Sequence, residues 1–410
     1  MAEDKLLIIQ KELAKPIEEM SIIGLVDALI EYAYQSRASD VHIQPFEDQI
    51  KVRLRIDGIL QDIFVLSKKV QSEIITRIKV LANLRTDEHQ AAQDGRFKAT
   101  LKNPKTDFDV RVSIIPTYYG ENAVLRILAE QSQIFDLKGL GFTSKDLIKV
   151  EQAAKKPYGM ILATGPTGCG KTTTLYTILK TLNSRDVSII TIEDPIEYSL
   201  EGISQIQINI KTGLTFADGL RSILRQDPNV LMVGEIRDQE TAGIAVNAAL
   251  TGHLLLSTLH TNDAATTLPR LIDLGAQPFL ITSTVNAIIA QRLVRMICED
   301  CRTEKTLNEA EAKSLAEILP QVTKGKLYKK FFVGRGCKKC FQSGYYSRIG
   351  IHEVLEINDE IRSMIMQRAN ASEIKAAAIK MGMTTMLEDG FNKAIKGVTT
   401  IEEILRVIHE

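Results

Sequence analysis

The feature that most restricts how this chain can fold is the run Gly165-Pro166-Thr167-Gly168-Cys169-Gly170-Lys171-Thr172, which follows an apolar stretch at 160–163 and leads into a helical one. Glycines at this spacing let consecutive backbone N–H groups converge on an anion at a helix start. Lys171 then sets a positive charge beside the outer phosphates of a nucleotide such as ATP, Thr172 offers a hydroxyl to Mg2+, and Thr173 extends the polar lining. A plain glycine-rich turn has no need of the strand before it or the helix after it. Further apolar runs at 187–192, 230–233 and 254–257 alternate with helical stretches, the order of a doubly wound α/β fold with a parallel sheet. Such sheets bind ligands at the carboxyl edge of their strands, so the polar residues that end these runs are the candidates for chemistry.

The run at 230–233 breaks into Gly234-Glu235-Ile236-Arg237-Asp238. A carboxylate there can face a metal-bound phosphate and an aligned water, which makes Glu235 the candidate general base; the alternative is a strand-end glutamate paired with Arg237. The run at 187–192 delivers Glu193 and Asp194 before Pro195, two carboxylates to tune Mg2+ or the water, or else ordinary turn chemistry. His253 and His260 flank the fourth strand and are read as sensors of a γ-phosphate, against the plainer reading of structural histidines. Cys169 lies inside the loop and is read as a small loop residue with no redox role; the alternative is a thiol whose pKa is lowered by the N–H groups and Lys171.

At 410 residues the chain exceeds a single core. Residues 20–35 place apolar side chains at helical spacing, and the period then changes to two at 41–43, 50–56 and 108–112, with Asp57-Gly58 as a hairpin signal. The expected organisation is an α+β domain at 1–130, a linker at 131–150 containing Gly139 and Gly141, an ATPase core at 151–297, a tetracysteine module at 298–340 and a helical region at 341–410. In that last region helices are expected at 359–368, after an Asn358 cap, and at 371–381. Lysine plus arginine number 51, as do aspartate plus glutamate, so the basic excess of a nucleic-acid binder is missing and no direct nucleic-acid partner is expected. The acidic start lacks the pattern of a signal peptide, and the longest apolar tract, 242–259, is broken by Asn247 and His253; no transmembrane segment is expected. Besides Cys169, the cysteines form two Cys-x-x-Cys pairs, Cys298/Cys301 and Cys337/Cys340, a spacing that suits a closed, structural Zn2+ site in a reducing cytoplasm.

Taken in order, the phosphate loop, Ile190-Thr-Ile-Glu-Asp-Pro-Ile-Glu-Tyr198, Leu220-Arg-Ser-Ile-Leu-Arg-Gln-Asp-Pro228, Val233-Gly-Glu-Ile-Arg-Asp238 and the double-histidine segment resemble the secretion ATPase superfamily of type II secretion and type IV pilus motors. Upstream, Ser36-Arg-Ala-Ser-Asp-Val-His-Ile43, Gln93-Asp-Gly-Arg96 and Arg111-Val-Ser-Ile-Ile-Pro-Thr117 resemble that family's second N-terminal domain, and 341–354 also matches. The resemblance implies a RecA-like core after a small PAS-like α+β domain, a homohexamer, and arginines lent to the nucleotide by the N-terminal domain: Arg96 and Arg111 at matching positions, Arg126 as a weaker match. It further implies recruitment to the cytoplasmic face of the inner membrane through a platform protein and docking proteins. The zinc pairs point to the secretion and pilus-extension branches, because retraction motors generally lack them. A retraction or DNA-uptake motor is the alternative within the family, and a nucleic-acid translocase or a non-hydrolysing zinc scaffold the alternatives outside it. The chain departs from the pattern in three places: it begins close to the second N-terminal domain, so the first is expected to be absent in a compact member or a fragment; His89-Gln90 stands where relatives hold a basic pair; and Asn229 replaces the second acid of Asp-Pro-Asp.

Overall fold

The computed structural model describes residues 2–102, 105–128 and 136–409. Contacts divide the chain into two compact units, Met1–Gln133 and Ile134–Glu410. Of the expected linker, 131–135 lies outside the described residues, and its latter part enters the helix Ser144–Ala154, capped by the Thr143 side chain.

The first unit is a six-stranded antiparallel sheet under helices. Its strands are β1 (Ala38–Pro45), β2 (Gln49–Ile56), β3 (Ile59–Ser67), β4 (Gln93–Lys102), β5 (Lys105–Thr117) and β6 (Gly120–Leu128), in the spatial order β3-β2-β1-β6-β5-β4. In β2 the buried Ile50, Val52, Leu54 and Ile56 alternate with polar residues, so one face of the pleat takes the apolar set. That face packs with Leu25, Val26, Leu29, Ile30 and Ala33 of the helix Ile22–Gln35, whose first turn is capped by Ser21. Asp57 and Gly58 both have positive φ, 48° and 89°, and close the β2–β3 hairpin in two residues. His89, at the second departure from the family pattern, pairs through Nδ1 with Glu121 at 2.8 Å, and the fully buried Lys79 pairs with the same carboxylate at 2.6 Å.

The second unit is built on a seven-stranded sheet. Its strands are β7 (Gly159–Thr164), β8 (Ile189–Glu193), β9 (Ser204–Gln207), β10 (Val230–Val233), β11 (Leu254–Leu259) and β12 (Val285–Ile297); between them and the last sheet strand lie β13 (Arg302–Thr306) and β14 (Lys330–Gly334), and β15 (Tyr345–Glu356) completes the order β15-β12-β7-β11-β10-β8-β9. Alternate residues of β7 enter opposite cores: Met160 and Leu162 join the cluster under the helix Gln239–Leu250, Ile161 and Ala163 the one under the helix Lys171–Leu182. Two buried faces explain why these strands read as continuous apolar runs.

Two expectations are corrected here. The sheet is mixed, because β15 runs antiparallel to β12 while the other pairings are parallel. The region 341–410 is accordingly not all helical: its first element is this 12-residue strand, which completes the core sheet, and the helices Asp359–Met366 and Ala371–Lys380 follow it. Asn358 caps the first of them as expected.

The C-terminal helix Ile401–His409 is tied to β12 by one carboxylate. Glu403 accepts from Arg295 Nη2 at 2.5 Å, from the Arg295 backbone N–H at 3.1 Å, and from Arg406 Nε and Nη2, both at 3.0 Å. Burial alone would push this carboxyl up; the hydrogen bonds from Arg406 and Arg295 outweigh it and bring the pKa down to about 2. The folded value lies below the ordinary 4.5, so the stabilisation is fully present above pH 4.5 and is lost as pH falls from 4.5 towards 2. Glu403→Gln should cost roughly 1–3 kcal/mol in denaturant unfolding at pH 7. The difference from wild type should shrink in the same experiment repeated down to pH 3.

Candidate functional site

The phosphate loop, 165–170, leaves β7 and closes onto the helix Lys171–Leu182. Gly165 has φ 141°, and a Cβ there would stand 2.6 Å from both Cys169 Sγ and the Gln291 carbonyl oxygen, so only glycine fits. The loop is held from the side by Gln291 of β12, only 2% exposed: its Nε2 donates to Cys169 O at 2.8 Å and its Oε1 accepts from Thr174 Oγ1 at 2.8 Å. Lys171 Nζ donates to Gly165 O at 2.7 Å and Pro166 O at 2.9 Å. Burial lowers the pKa of its ammonium, with nearby Glu235 among the groups that offset the effect. Thr172 and Thr173 stand half-buried in the first helical turn, while Pro166, Thr167 and Gly168 are exposed at the loop's crest.

For Cys169 the structure favours the plain reading over the activated thiol. The thiol is 4% exposed, and burial, outweighing Lys171 and Arg292, pushes its pKa up instead of down. A protonated, enclosed thiol fits the plain packing role.

Glu235 stands just past the carboxyl end of β10, next to β11 and on the same edge as the loop. Its Oε2 is 2.5 Å from Arg237 Nε and 3.3 Å from His260 Nε2. The ion pair with Arg237 that sequence reading held as the alternative is therefore present, alongside the histidine. The backbone under Glu235 is fixed by Gly234 N–H to Ile192 O at 2.8 Å, Ile236 N–H to Thr258 O at 3.0 Å and Thr258 Oγ1 to Gly234 O at 2.7 Å. The loop carrying His260 is fastened to β7 where the Thr261 backbone N–H donates to Thr164 Oγ1 at 3.0 Å. Its continuation is held by Lys375, 2.8 Å from Asp263, and by Glu353, which accepts the Ala264 N–H at 3.1 Å.

Two expected partners are not bonded to this group. Glu193 is buried with both oxygens engaged, accepting from Tyr176 Oη on one, and from Thr191 Oγ1 at 2.5 Å and Gln205 Nε2 at 3.2 Å on the other. A carboxylate so enclosed positions β8 and is not the catalytic group expected of it. His253 precedes β11 at the sheet's amino edge, where its carbonyl accepts the Gly159 N–H at 3.1 Å and its Nδ1 lies 3.1 Å from Ala248 O. The six residues of β11 put it roughly 20 Å from the edge that holds His260, so the two histidines do not share this site. Asp194 is exposed and near enough to Arg237 to help hold it charged, after the larger effect of Glu235.

In the N-terminal unit, Arg96, Arg111 and Arg126 form one lateral row across β4, β5 and β6, each opposite the next. Asp40 of β1 ends the row 2.9 Å from Arg126 Nε. Like charges set directly opposite one another in a sheet repel, and a further anion brought to this row would relieve that repulsion.

The two Cys-x-x-Cys turns are brought together by β13 and β14, which pair antiparallel from Arg302 opposite Gly334 outwards. The four sulfurs of Cys298, Cys301, Cys337 and Cys340 lie within 4.8 Å of one another; three of the separations are 3.6, 3.7 and 3.8 Å. A tetrahedron with Zn–S near 2.3 Å has edges of roughly 3.8 Å, so the donor set fits Zn2+ and leaves no open position for substrate. Cys340 Sγ accepts N–H groups from Cys337 at 3.1 Å and Gly344 at 3.3 Å, as metal-bound thiolates do. Gly334 and Gly344 meet back to back, and a Cβ on Gly334 would stand 2.0 Å from Gly344 O.

Sequence reading missed Gln291 and Arg292. The signal was a polar pair interrupting the apolar run of β12.

Among the described residues, no helix is long and apolar enough to cross a membrane. The profile of the family described as "Type II/IV secretion system protein" matches residues 16–406. Type II secretion system protein E of Xanthomonas campestris pv. campestris is 46% identical over 394 residues, 96% of this chain and 68% of that protein. The type IV pilus assembly ATPase PilB of Myxococcus xanthus is 42% identical over 395 residues, 96% of this chain and 69% of its own. Among solved structures, the Legionella pneumophila ATPase DotB shares the fold at 22% identity, with TM-score 0.69 over 97% of this chain and 98% of that one. The pilus retraction motor PilT with bound ADP is 26% identical, with TM-score 0.61 over 93% and 96%.

The sulfur geometry predicts stoichiometric zinc in the purified protein, measured by elemental analysis. Cys337→Ser or chelation should lower the thermal midpoint by several degrees, because the cluster closes the roots of β12 and β15.

Proposed function

The chain belongs to the type II/IV secretion system protein family, and on that premise we propose that it is the ATP-hydrolysing motor that drives assembly of a type IV pilus or a type II secretion pseudopilus. The observation that carries the reading is the convergence of the phosphate loop, Glu235 and His260 on one edge of the sheet, with the general base in reach of both a cation and a histidine.

In this reading the loop N–H groups and Lys171 bind the nucleotide phosphates, and Lys171 gives up its contacts to Gly165 and Pro166 to do so. Thr172 would hold Mg2+, which supplies charge neutralisation when bound. Glu235 accepts the proton of the attacking water, and Arg237 and His260 set the carboxylate's orientation and polarity. His260 stands where it can sense the terminal phosphate through Glu235. Arg96 and Arg111, with Arg126 beside them, are lent to a nucleotide by the N-terminal unit within a homohexamer, where their row meets the nucleotide's phosphates. Closure around the nucleotide then becomes mechanical work. The Zn2+ site is structural in this scheme. The motor sits at the cytoplasmic face of the inner membrane, recruited through a platform protein and docking proteins.

The assembly direction is favoured over retraction by the four clustered cysteines. As functional divisions we propose 1–130 for the arginine-bearing domain, 131–150 for the connector, 151–297 together with β15 for the ATPase core, 298–340 for the zinc module and the helices after β15 for the C-terminal support.

Glu235→Gln should keep Mg-ATP binding and lose about 10²-fold or more in turnover, whereas Lys171→Ala should lose binding itself. Phosphate release and nucleotide titration read the two effects. Full turnover in Glu235→Gln would remove the assigned base. The same substitution in the source cell separates the two machines: loss of surface filaments with export intact assigns pilus assembly, and the reverse assigns secretion.

A further inference from the structure

Of the polar pair in β12, the clamp on the phosphate loop accounts for Gln291 and leaves Arg292 without a task. Arg292 stands two residues past Ala290, which pairs with Thr164 at the end of β7, so its backbone is level with the start of the loop. A Cβ on Gly165 would lie 3.2 Å from Arg292 Nη1, and the guanidinium is close enough to act electrostatically on both Cys169 and Lys171. The residue is only 9% exposed. Its hydrogen bond among the described residues runs from Nη1 to the Gln291 carbonyl at 3.2 Å, and no carboxylate there stands within ion-pair distance of it.

A guanidinium carries five N–H donors and a permanent charge, and burying it without a counter-charge is unfavourable. Lys171, its neighbour, is a second enclosed cation. Two such charges beside a loop of converging N–H groups make a site that lacks only a polyanion. The sheet order fixes the side: β12 and β11 flank β7, and β10 with Glu235 lies beyond β11, so Arg292 and Glu235 approach the loop from opposite flanks.

We propose that Arg292 is a nucleotide-binding residue that grips the phosphates shared by ADP and ATP from the β12 side of the loop. The proposal rests on the ATPase reading above and adds to it a cation that belongs to the same subunit as the loop.

The test separates a ligand from a structural prop. Arg292→Met fills a similar volume without the charge, and Arg292→Lys keeps a charge without the planar fork. Thermal midpoints are measured without nucleotide, and Mg-ADP and Mg-ATP affinities by calorimetry. A phosphate ligand predicts that Arg292→Met keeps or raises the nucleotide-free midpoint, because an unpaired buried charge has been removed, while both affinities fall about tenfold or more. Arg292→Lys should fall between. Unchanged affinity in Arg292→Met overturns the proposal, as does a lowered midpoint with normal affinity. A loss confined to ATP would put the contact at the terminal phosphate and overturn the placement. Should Arg292→Met fail to fold, the structural role is favoured and the proposal fails unless Arg292→Lys, folded at the wild-type midpoint, loses affinity for both nucleotides. Wild-type protein that binds no Mg-ADP would sink the ATPase reading instead, and that control is read first.

Discussion

The clamp of Gln291 on the phosphate loop is the contact on which the rest of the site depends. The loop turns through positive φ at Gly165, Gly168 and Gly170, a path that holds its shape only when its surroundings fix it. One buried amide supplies that support by donating to Cys169 O and accepting from Thr174, thereby joining the loop to the first turn of the helix that follows it. Since a buried amide must satisfy both ends, any shift of β12 along its axis breaks two hydrogen bonds at once. The register of β12 against β7 thus becomes a property of the nucleotide site.

That dependence explains why so much of the second unit is built around β12. At its centre the strand carries the clamp; four residues later Arg295 meets Glu403 and stacks on the Tyr345 ring at 4.0 Å; at its end Cys298 opens the four-sulfur cluster. β15 lies antiparallel along nearly the whole of it and delivers Glu353 to the loop that follows His260. The zinc module, the C-terminal helices and the His260 loop are separate in sequence but share this one strand as their support. Hydrophobic burial on both sheet faces supplies the stability, and the polar contacts supply the alignment.

What could be read from the residues follows the range of the interactions involved. The phosphate loop, β7, β10 and β11 were legible because each is a local pattern: apolar runs buried on two faces, glycines at fixed spacing, a carboxylate where a run ends. The β2–β3 hairpin was legible for the same reason in Asp57-Gly58. β15 was not, since a strand whose pairing partner ends about fifty residues upstream shows only a mixed pattern, and the helices that follow it dominate the reading of 341–410. The misplacement of His253 has a simpler cause. Flanking a strand on both sides sounds like proximity, whereas a strand is a spacer of about 3.3 Å per residue that puts its two ends on opposite edges of the sheet. Glu193 ends its strand at the correct edge, but Tyr176, Thr191 and Gln205 reach it from segments that no local pattern connects.

The central claim is that one sheet edge, walled by β12 on one flank and Glu235 on the other, is the nucleotide site. The most direct measurement is a crystal structure of the protein with Mg-ADP. The account predicts the phosphates within hydrogen-bond distance of the backbone N–H groups of 167–172, with Lys171 turned from Gly165 onto them, Gln291 still bonded to Cys169, and Arg292 reaching them from the β12 side. Nucleotide bound elsewhere, or bound at the loop with Gln291 displaced from Cys169, would contradict it.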